Sequence, residues 1–136
     1  MFDECNRMLL AICLWREARG EGIVGMRAVG WVIRNRVMKL GQPWFKVITS
    51  KNQFSSMSVL GDSQTIVWGD PSILPFQEVC QLAKLIYEGT DTDPTNGALY
   101  YYNPVTATSK WFKENIVDNP DEHPSLGTIG NHTFYA

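Results

Sequence analysis

The segment that most constrains this chain is residues 28–33, an Ala-Val-Gly-Trp-Val-Ile run with no charged side chain inside a helical pattern. The pattern extends from about residue 23 to residue 39, and Gly41 follows it as a typical helix terminator. A helix that is apolar on every side must be covered by other elements over most of its surface. We therefore predict a buried helix around which the rest of the chain folds.

Other patterns predict the elements that cover this helix. Apolar spacings of three and four residues predict one helix from Asp3, as its N-cap, to about Arg19, and another from Pro75 to Glu88. Shorter patterns predict a helical turn at 44–48, a weak strand at 52–60, a strand at 98–104, a short helix at 108–115 and an edge strand or small hairpin at 128–136. The chain has 136 residues, of which 44% are hydrophobic, and this is enough for one domain with a substantial core. We predict a single α+β domain that is mainly α.

Composition argues against several classes of function. The formal net charge of −2 offers no general attraction to nucleic acid or to anionic lipid. Three cysteines at no metal-like spacing indicate reduced thiols. The N-terminus carries acids where a signal peptide needs bases, and no apolar stretch reaches the roughly 18 residues of a membrane span. We expect a monomer that is made in the cytoplasm, does not insert into a membrane and binds no nucleic acid.

Glu17 is the acid whose position most favours chemistry. It falls in the last turn of the first predicted helix, where the helix dipole disfavours a carboxylate, and apolar neighbours such as Trp15 add desolvation. A carboxyl that stays protonated near neutral pH can donate its proton to a glycosidic oxygen. Arg16 and Arg19 would instead favour the anion, so a solvated glutamate paired with these arginines remains open. Glu21 falls near the start of the next helix, where an acid simply favours the dipole.

Two other chemistries have weaker support in the sequence. His123, His132 and Glu122 do not show the helical spacings of zinc sites, and we predict no metal and no cofactor. Cys13 or Cys80 could meet His132 in space and serve as a nucleophile, which would suit an amidase that acts on peptide stems. Both cysteines fall on apolar helix stripes, however, and are more simply explained as core residues.

Polar and aromatic residues elsewhere could line a cleft. The candidates are Gln53, the run Tyr100, Tyr101, Tyr102 and Asn103, and His132, Phe134 and Tyr135 near the C-terminus. On a strand, Tyr100 and Tyr102 share one face and Tyr101 takes the other, so one face would pack in the core and the other could line a groove. Asn103 precedes a proline and is equally suited to a turn. Taken alone, each candidate is as readily structural.

Several stretches together resemble a known family in their order and spacing. They are EARGEG at 17–22, GMRAVGWVIRNRV at 25–37, QFS at 53–55, GALYYYNP at 97–104 and IGNHTFY at 129–135. In these blocks the chain resembles the cell-wall hydrolase family of the spore-cortex-lytic enzymes. The resemblance implies a lysozyme-like fold, as in goose-type lysozymes and lytic transglycosylases. It also implies one catalytic domain, residues 1–136, that cleaves peptidoglycan glycan strands between N-acetylmuramic acid and N-acetylglucosamine.

The resemblance also implies roles for particular residues. The first glutamate of the first block is the family's catalytic acid, which is Glu17 here. Matching the remaining blocks places Gln53, Tyr102 and Asn103 around the substrate. Further candidates for substrate binding are Glu21, Tyr100 and His132. A lytic transglycosylase needs only the one acid and forms a 1,6-anhydro-muramic end.

A hydrolytic muramidase is the alternative, and it would need a second carboxylate roughly 5–9.5 Å from the first. Asp62, Asp70 and Glu78 are conceivable partners for Glu17, although the sequence brings none of them close to it.

Two departures from the family pattern keep another reading open. Arg16 stands where a small residue is usual, and Met57 stands where an aromatic residue is common. Arg16 is the feature that would support a glycan-binding module without turnover, which is a further alternative, whereas Met57 bears on the shape of one subsite. A leaderless catalytic domain of this size also resembles a phage or prophage endolysin, which would reach the bacterial cell wall through a separately made membrane pore.

Overall fold

The fold is that of a computed structural model, which describes residues 3–18, 21–49, 74–105 and 107–136. Helices make up most of the described chain. Their bounds are Asp3–Ala18 (α1), Gly22–Leu40 (α2), Trp44–Ile48 (α3), Leu74–Glu88 (α4) and Lys110–Phe112 (α5). The first four of these helices begin and end within two residues of their expected positions. No helix in the described part of the chain is long and apolar enough to cross a membrane.

Helix α2 is the buried centre that its apolar segment predicts. Every residue from Ala28 to Ile33 is buried, and α1, α3 and α4 all pack against this helix. Gly30 permits the close approach: a Cβ atom there would lie 2.5 Å from Cδ1 of Ile86 on α4 and 3.3 Å from Cδ1 of Leu14 on α1. The absence of a side chain at Gly30 thus lets α1 and α4 pack closely against the backbone of α2.

A small antiparallel sheet lies beside the helices. Its strands are Tyr100–Tyr102 (β1), Ser125–Ile129 (β2) and His132–Tyr135 (β3), in the order β1-β3-β2. Strands β2 and β3 form the predicted hairpin, and Gly130 takes a left-handed φ of +60° at its turn. The last strand is central because β1 pairs with its outer side, so the alternative of a lone edge strand was wrong.

Two local predictions need correction. Asp3 is the first residue of α1 rather than a cap before it, and its carboxylate accepts a hydrogen bond of 2.7 Å from the Tyr87 hydroxyl on α4. The predicted helix at 108–115 is shorter: α5 begins after Ser109, whose side chain accepts from the Phe112 amide, and it continues as a π-helical turn, Lys113–Val117. The predicted strand at 52–60 lies outside the described residues.

A second, smaller apolar cluster joins α5 and the π-helical turn to the sheet. Phe112, Ile116 and Tyr135 form its buried centre. Tyr100 and Tyr102 pack against it from β1, which fixes the face of the strand that each tyrosine occupies. The other face of the sheet meets the helical core.

Candidate active site

Glu17 lies at the end of α1, on a segment that the core holds firmly. Cys13, one turn earlier, is fully buried, and the Trp15 ring packs edge-on against Phe76 at 5.4 Å. Glu17 itself is half-buried. Burial is the main cause of the raised pKa of the Cys13 thiol, and the charge of Glu17 is the second cause. Glu17 therefore acts electrostatically on the preceding turn of α1. The proposed acid is therefore attached to a rigid part of the molecule, as a catalytic group requires.

His132 is the buried polar residue of the site. Only 7% of its surface is exposed, and its ring lies 4.8 Å from the Tyr101 ring. Its Nδ1 atom is buried and has no hydrogen-bond partner among the described residues. Burial lowers the pKa of His132, whereas the charges of Glu21 and Glu17 act to raise it, and the net pKa lies below the ordinary value of 6.5.

These electrostatic effects show that the structure brings three predicted site residues together. Glu17 comes from the end of α1, Glu21 precedes the first residue of α2, and His132 begins β3. Both carboxylates are close enough to act on the imidazole. Residues more than a hundred positions apart in the sequence therefore share one site.

Glu21 is bound to the hairpin turn. Its Oε1 accepts a hydrogen bond of 2.9 Å from Nδ2 of Asn131, and its Oε2 accepts one of 3.2 Å from the Asn131 backbone amide. Burial raises the pKa of Glu21, but the two hydrogen bonds from Asn131 and the nearby His132 lower it, and the net pKa is below the ordinary value. Glu21 is therefore a carboxylate at neutral pH.

The three adjacent tyrosines divide between the two faces of β1. Tyr101 is buried and turns to the helical core and His132. Tyr102 stacks on Phe112 at 5.5 Å with the rings almost parallel, and Tyr100 meets the same ring edge-on at 6.0 Å. The predicted substrate residues Tyr100 and Tyr102 thus lie on the opposite face from Tyr101. Tyr101, which the resemblance did not single out, is the tyrosine that contacts His132.

The other predicted residues have mixed placements. The Asn103 side chain accepts a hydrogen bond of 3.0 Å from the Val105 amide across Pro104, which is the turn role that its position before proline allows. Gln53, Asp62 and Asp70 lie outside the described residues. Glu78 is exposed on α4.

The alternative nucleophiles are poorly placed for reaction. Cys13 is fully buried and its thiol pKa is raised well above the ordinary value, mainly by burial. Burial also raises the pKa of Cys80. A reactive cysteine needs the opposite shift, since the thiolate is the nucleophile. His123 directs its Nδ1 at the Ala136 carbonyl oxygen, 2.8 Å away, and its ring meets Tyr100 edge-on.

Comparison with known proteins places this chain in a family. Residues 20–135 match the family described as Cell Wall Hydrolase. A spore cortex-lytic enzyme of Bacillus cereus is 33% identical over 133 residues, which cover 98% of this chain and 45% of that protein. A spore cortex-lytic enzyme of Halalkalibacterium halodurans is 32% identical over 98% of this chain and 35% of its own length. The chain therefore spans less than half the length of these curated relatives.

Solved structures agree with this placement. The crystal structure of the catalytic domain of the Bacillus cereus SleB protein matches 98% of this chain and 91% of its own, with a TM-score of 0.71 and 30% identity. The catalytic domain of the germination-specific lytic transglycosylase SleB from Bacillus anthracis gives a TM-score of 0.68, again at 30% identity, over 96% and 93% of the two chains. The expected lysozyme-like fold, mainly α with a small β element, is confirmed.

Proposed function

This chain belongs to the cell-wall hydrolase family, and from that premise we propose that it cleaves peptidoglycan glycan strands as a lytic transglycosylase. The bond broken is the one between N-acetylmuramic acid and N-acetylglucosamine, and Glu17 is the acid and the base of the reaction. The observation that carries this assignment is the position of Glu17: a half-buried carboxyl at the end of a core helix, beside the buried His132.

The proposed reaction uses one carboxyl twice. Protonated Glu17 donates its proton to the glycosidic oxygen as the bond from that oxygen to C1 of the muramic sugar breaks. The Glu17 carboxylate so formed then removes the proton from the 6-hydroxyl of the same sugar. The freed O6 bonds to C1, which closes a 1,6-anhydro ring and returns Glu17 to its protonated form. No water enters the product, and no second carboxylate is needed.

The state of Glu21 favours this one-acid route over hydrolysis. A hydrolytic muramidase needs a second carboxylate to activate water or to attack the sugar. Glu21 is the other described acid whose charge reaches His132, but both of its oxygens already accept hydrogen bonds from Asn131. A carboxylate held in this way is better suited to support the site than to attack. The relative from Bacillus anthracis, a germination-specific lytic transglycosylase, supports the same choice.

The substrate sets the place of action at the bacterial cell wall. Near Glu17 we propose His132 as a substrate-binding residue, because its imidazole lies within reach of the charges of both Glu17 and Glu21. Tyr102, Asn103, Tyr100 and Gln53 remain candidates for binding other parts of the glycan. Binding to the glycan without turnover is the alternative, and Arg16 next to Glu17 in the sequence is the feature that favours it.

The first test of the proposal is the variant Glu17→Gln. The amide keeps the shape of the side chain but can neither donate nor accept the proton, so the release of soluble fragments from purified peptidoglycan should fall by about 10²–10⁴-fold. Glu4→Gln is the matched control, since Glu4 is exposed on the same helix and about 20 Å away along it. Full activity in Glu17→Gln would remove Glu17 from the mechanism.

A further inference from the structure

The Glu21 side chain makes contacts unlike those of an ordinary surface acid. It occupies the N-cap position of α2, yet among the described residues it makes no capping hydrogen bond there. Both carboxylate oxygens instead bind Asn131, 110 positions along the chain. This pair therefore joins the α1–α2 junction to the turn between β2 and β3.

Two glycines leave space for this side chain. A Cβ atom on Gly25 would lie 2.3 Å from the Cβ of Glu21, and a Cβ atom on Gly130 would lie 2.5 Å from its Oε2. Real Cβ atoms almost never approach so closely. Any larger residue at Gly25 or Gly130 would therefore displace the Glu21 side chain. The two glycines thus leave room for the contact between Glu21 and Asn131.

The residue that follows Asn131 is His132, so the same contact sets the start of β3. The His132 ring is buried against Tyr101, and the charges of Glu17 and Glu21 both reach it. Because Asn131 and His132 are adjacent, a shift of the β2–β3 turn would also shift the His132 imidazole relative to Glu17. A displacement of about 1 Å can cost a hundredfold in rate when it misplaces a catalytic group.

We propose that Glu21 is a positioning residue: its carboxylate fastens the β2–β3 turn to the α1–α2 junction and so sets His132 beside Glu17. The inference rests on the proposed function for the role of Glu17. It replaces the expected role of Glu21 in binding sugar, because the Glu21 oxygens are engaged by Asn131. Gly25 and Gly130 leave the space that the Glu21 side chain needs to make this contact.

The cleanest test changes Gly130 and leaves every hydrogen-bonding side chain in place. Gly130→Ala puts a methyl group against Oε2 of Glu21 and should lower kcat on purified peptidoglycan by about tenfold or more while KM changes little. Gly41→Ala is the matched control. Its φ of +64° is close to the +60° of Gly130, but a Cβ atom there meets no described atom within 4 Å. It should keep the wild-type kcat and lose a similar amount of backbone stability.

Two variants of Glu21 keep the proposal testable if Gly130→Ala does not fold. Glu21→Ala removes the contact without adding bulk and should lower kcat as Gly130→Ala does. Glu21→Gln can still accept from the Asn131 amide and should recover much of that loss. A purely structural role predicts that Glu21→Ala lowers the melting temperature without changing kcat in the folded protein.

An NMR measurement of the His132 imidazole separates this proposal from the assignment of Glu17. The groups that act on this ring include Glu17 from α1, Glu21 before α2, Tyr101 from β1 and Phe134 from β3. Its resonances should move in Gly130→Ala and stay unchanged in Gly41→Ala. Unchanged His132 resonances and unchanged kcat in Gly130→Ala would overturn the role of Glu21. Retained activity in Glu17→Gln would instead overturn the proposed function, whatever the imidazole shows.

Discussion

His132 shows at the scale of one residue how burial and charge compete. Its ring is buried beside Tyr101, which disfavours the imidazolium, while the carboxylates of Glu17 and Glu21 favour it. Burial is the larger effect, so the folded protein holds His132 with a pKa below the ordinary 6.5. A neutral imidazole can both donate and accept a hydrogen bond.

This shift predicts a pH dependence of stability. As pH falls, the unfolded chain protonates His132 near pH 6.5, whereas the folded protein protonates it only at a lower pH. The contribution of His132 to the free energy of unfolding is therefore fully present above pH 6.5. It is lost as pH falls from 6.5 through the lower folded pKa. The free energy of unfolding, measured by urea titration at pH 7.5 and 5.5, should therefore fall on acidification.

His132→Gln should reduce that fall, because the glutamine does not titrate. The matched control is His123→Gln, which removes the other histidine of the chain. The same fall in His132→Gln as in the wild type would show that His132 is not the titrating group.

At the scale of whole elements, the contact between α2 and its neighbours decides where the site lies. Gly30 lets α1 and α4 approach α2, and the far end of α1 carries Glu17. The short connection from Ala18 to Gly22 then brings Glu21 to the start of α2. The packing of three helices thus fixes the position of two glutamates.

Gly30→Ala tests this packing. A methyl group at residue 30 would lie 2.5 Å from Cδ1 of Ile86, and such overpacking costs about 1–3 kcal/mol, which outweighs the gain in helix propensity. We expect a lower free energy of unfolding in urea titration. Ile86→Val removes the atom that collides, so the double variant should be more stable than the sum of the two single changes predicts. Strict additivity of the two changes would contradict this contact.

The sequence predicts the helices better than it predicts the sheet. The bounds of the first four helices follow from local spacing of apolar residues and from terminators such as Gly41, and they are right to within two residues. The central place of β3 depends on its pairing with β1, some thirty residues earlier, which no local pattern encodes. The π-helical turn after Phe112 likewise depends on packing of Ile116 in the second cluster.

At the scale of the whole molecule, the site joins distant parts of the chain. Glu17 is identifiable from its block of sequence, and His132 from its own block. What the sequence did not predict is the bond between Glu21 and Asn131, because nothing local indicates which partner a glutamate will meet across 110 positions. The same limit applies to Tyr101: strand alternation separates it from Tyr100 and Tyr102, but only the register shows which face meets His132.

The central claim is that one carboxyl, Glu17, breaks the glycan strand without water. Mass spectrometry of the fragments that the protein releases from purified peptidoglycan tests it most directly. The proposed one-acid mechanism predicts 1,6-anhydro muramic ends, which are lighter by one water than hydrolysed ends, and no such fragments from Glu17→Gln. Ordinary reducing muramic ends would contradict the one-acid route and require a second carboxylate, and intact glycan with cleaved peptide stems would contradict the assignment of Glu17 itself.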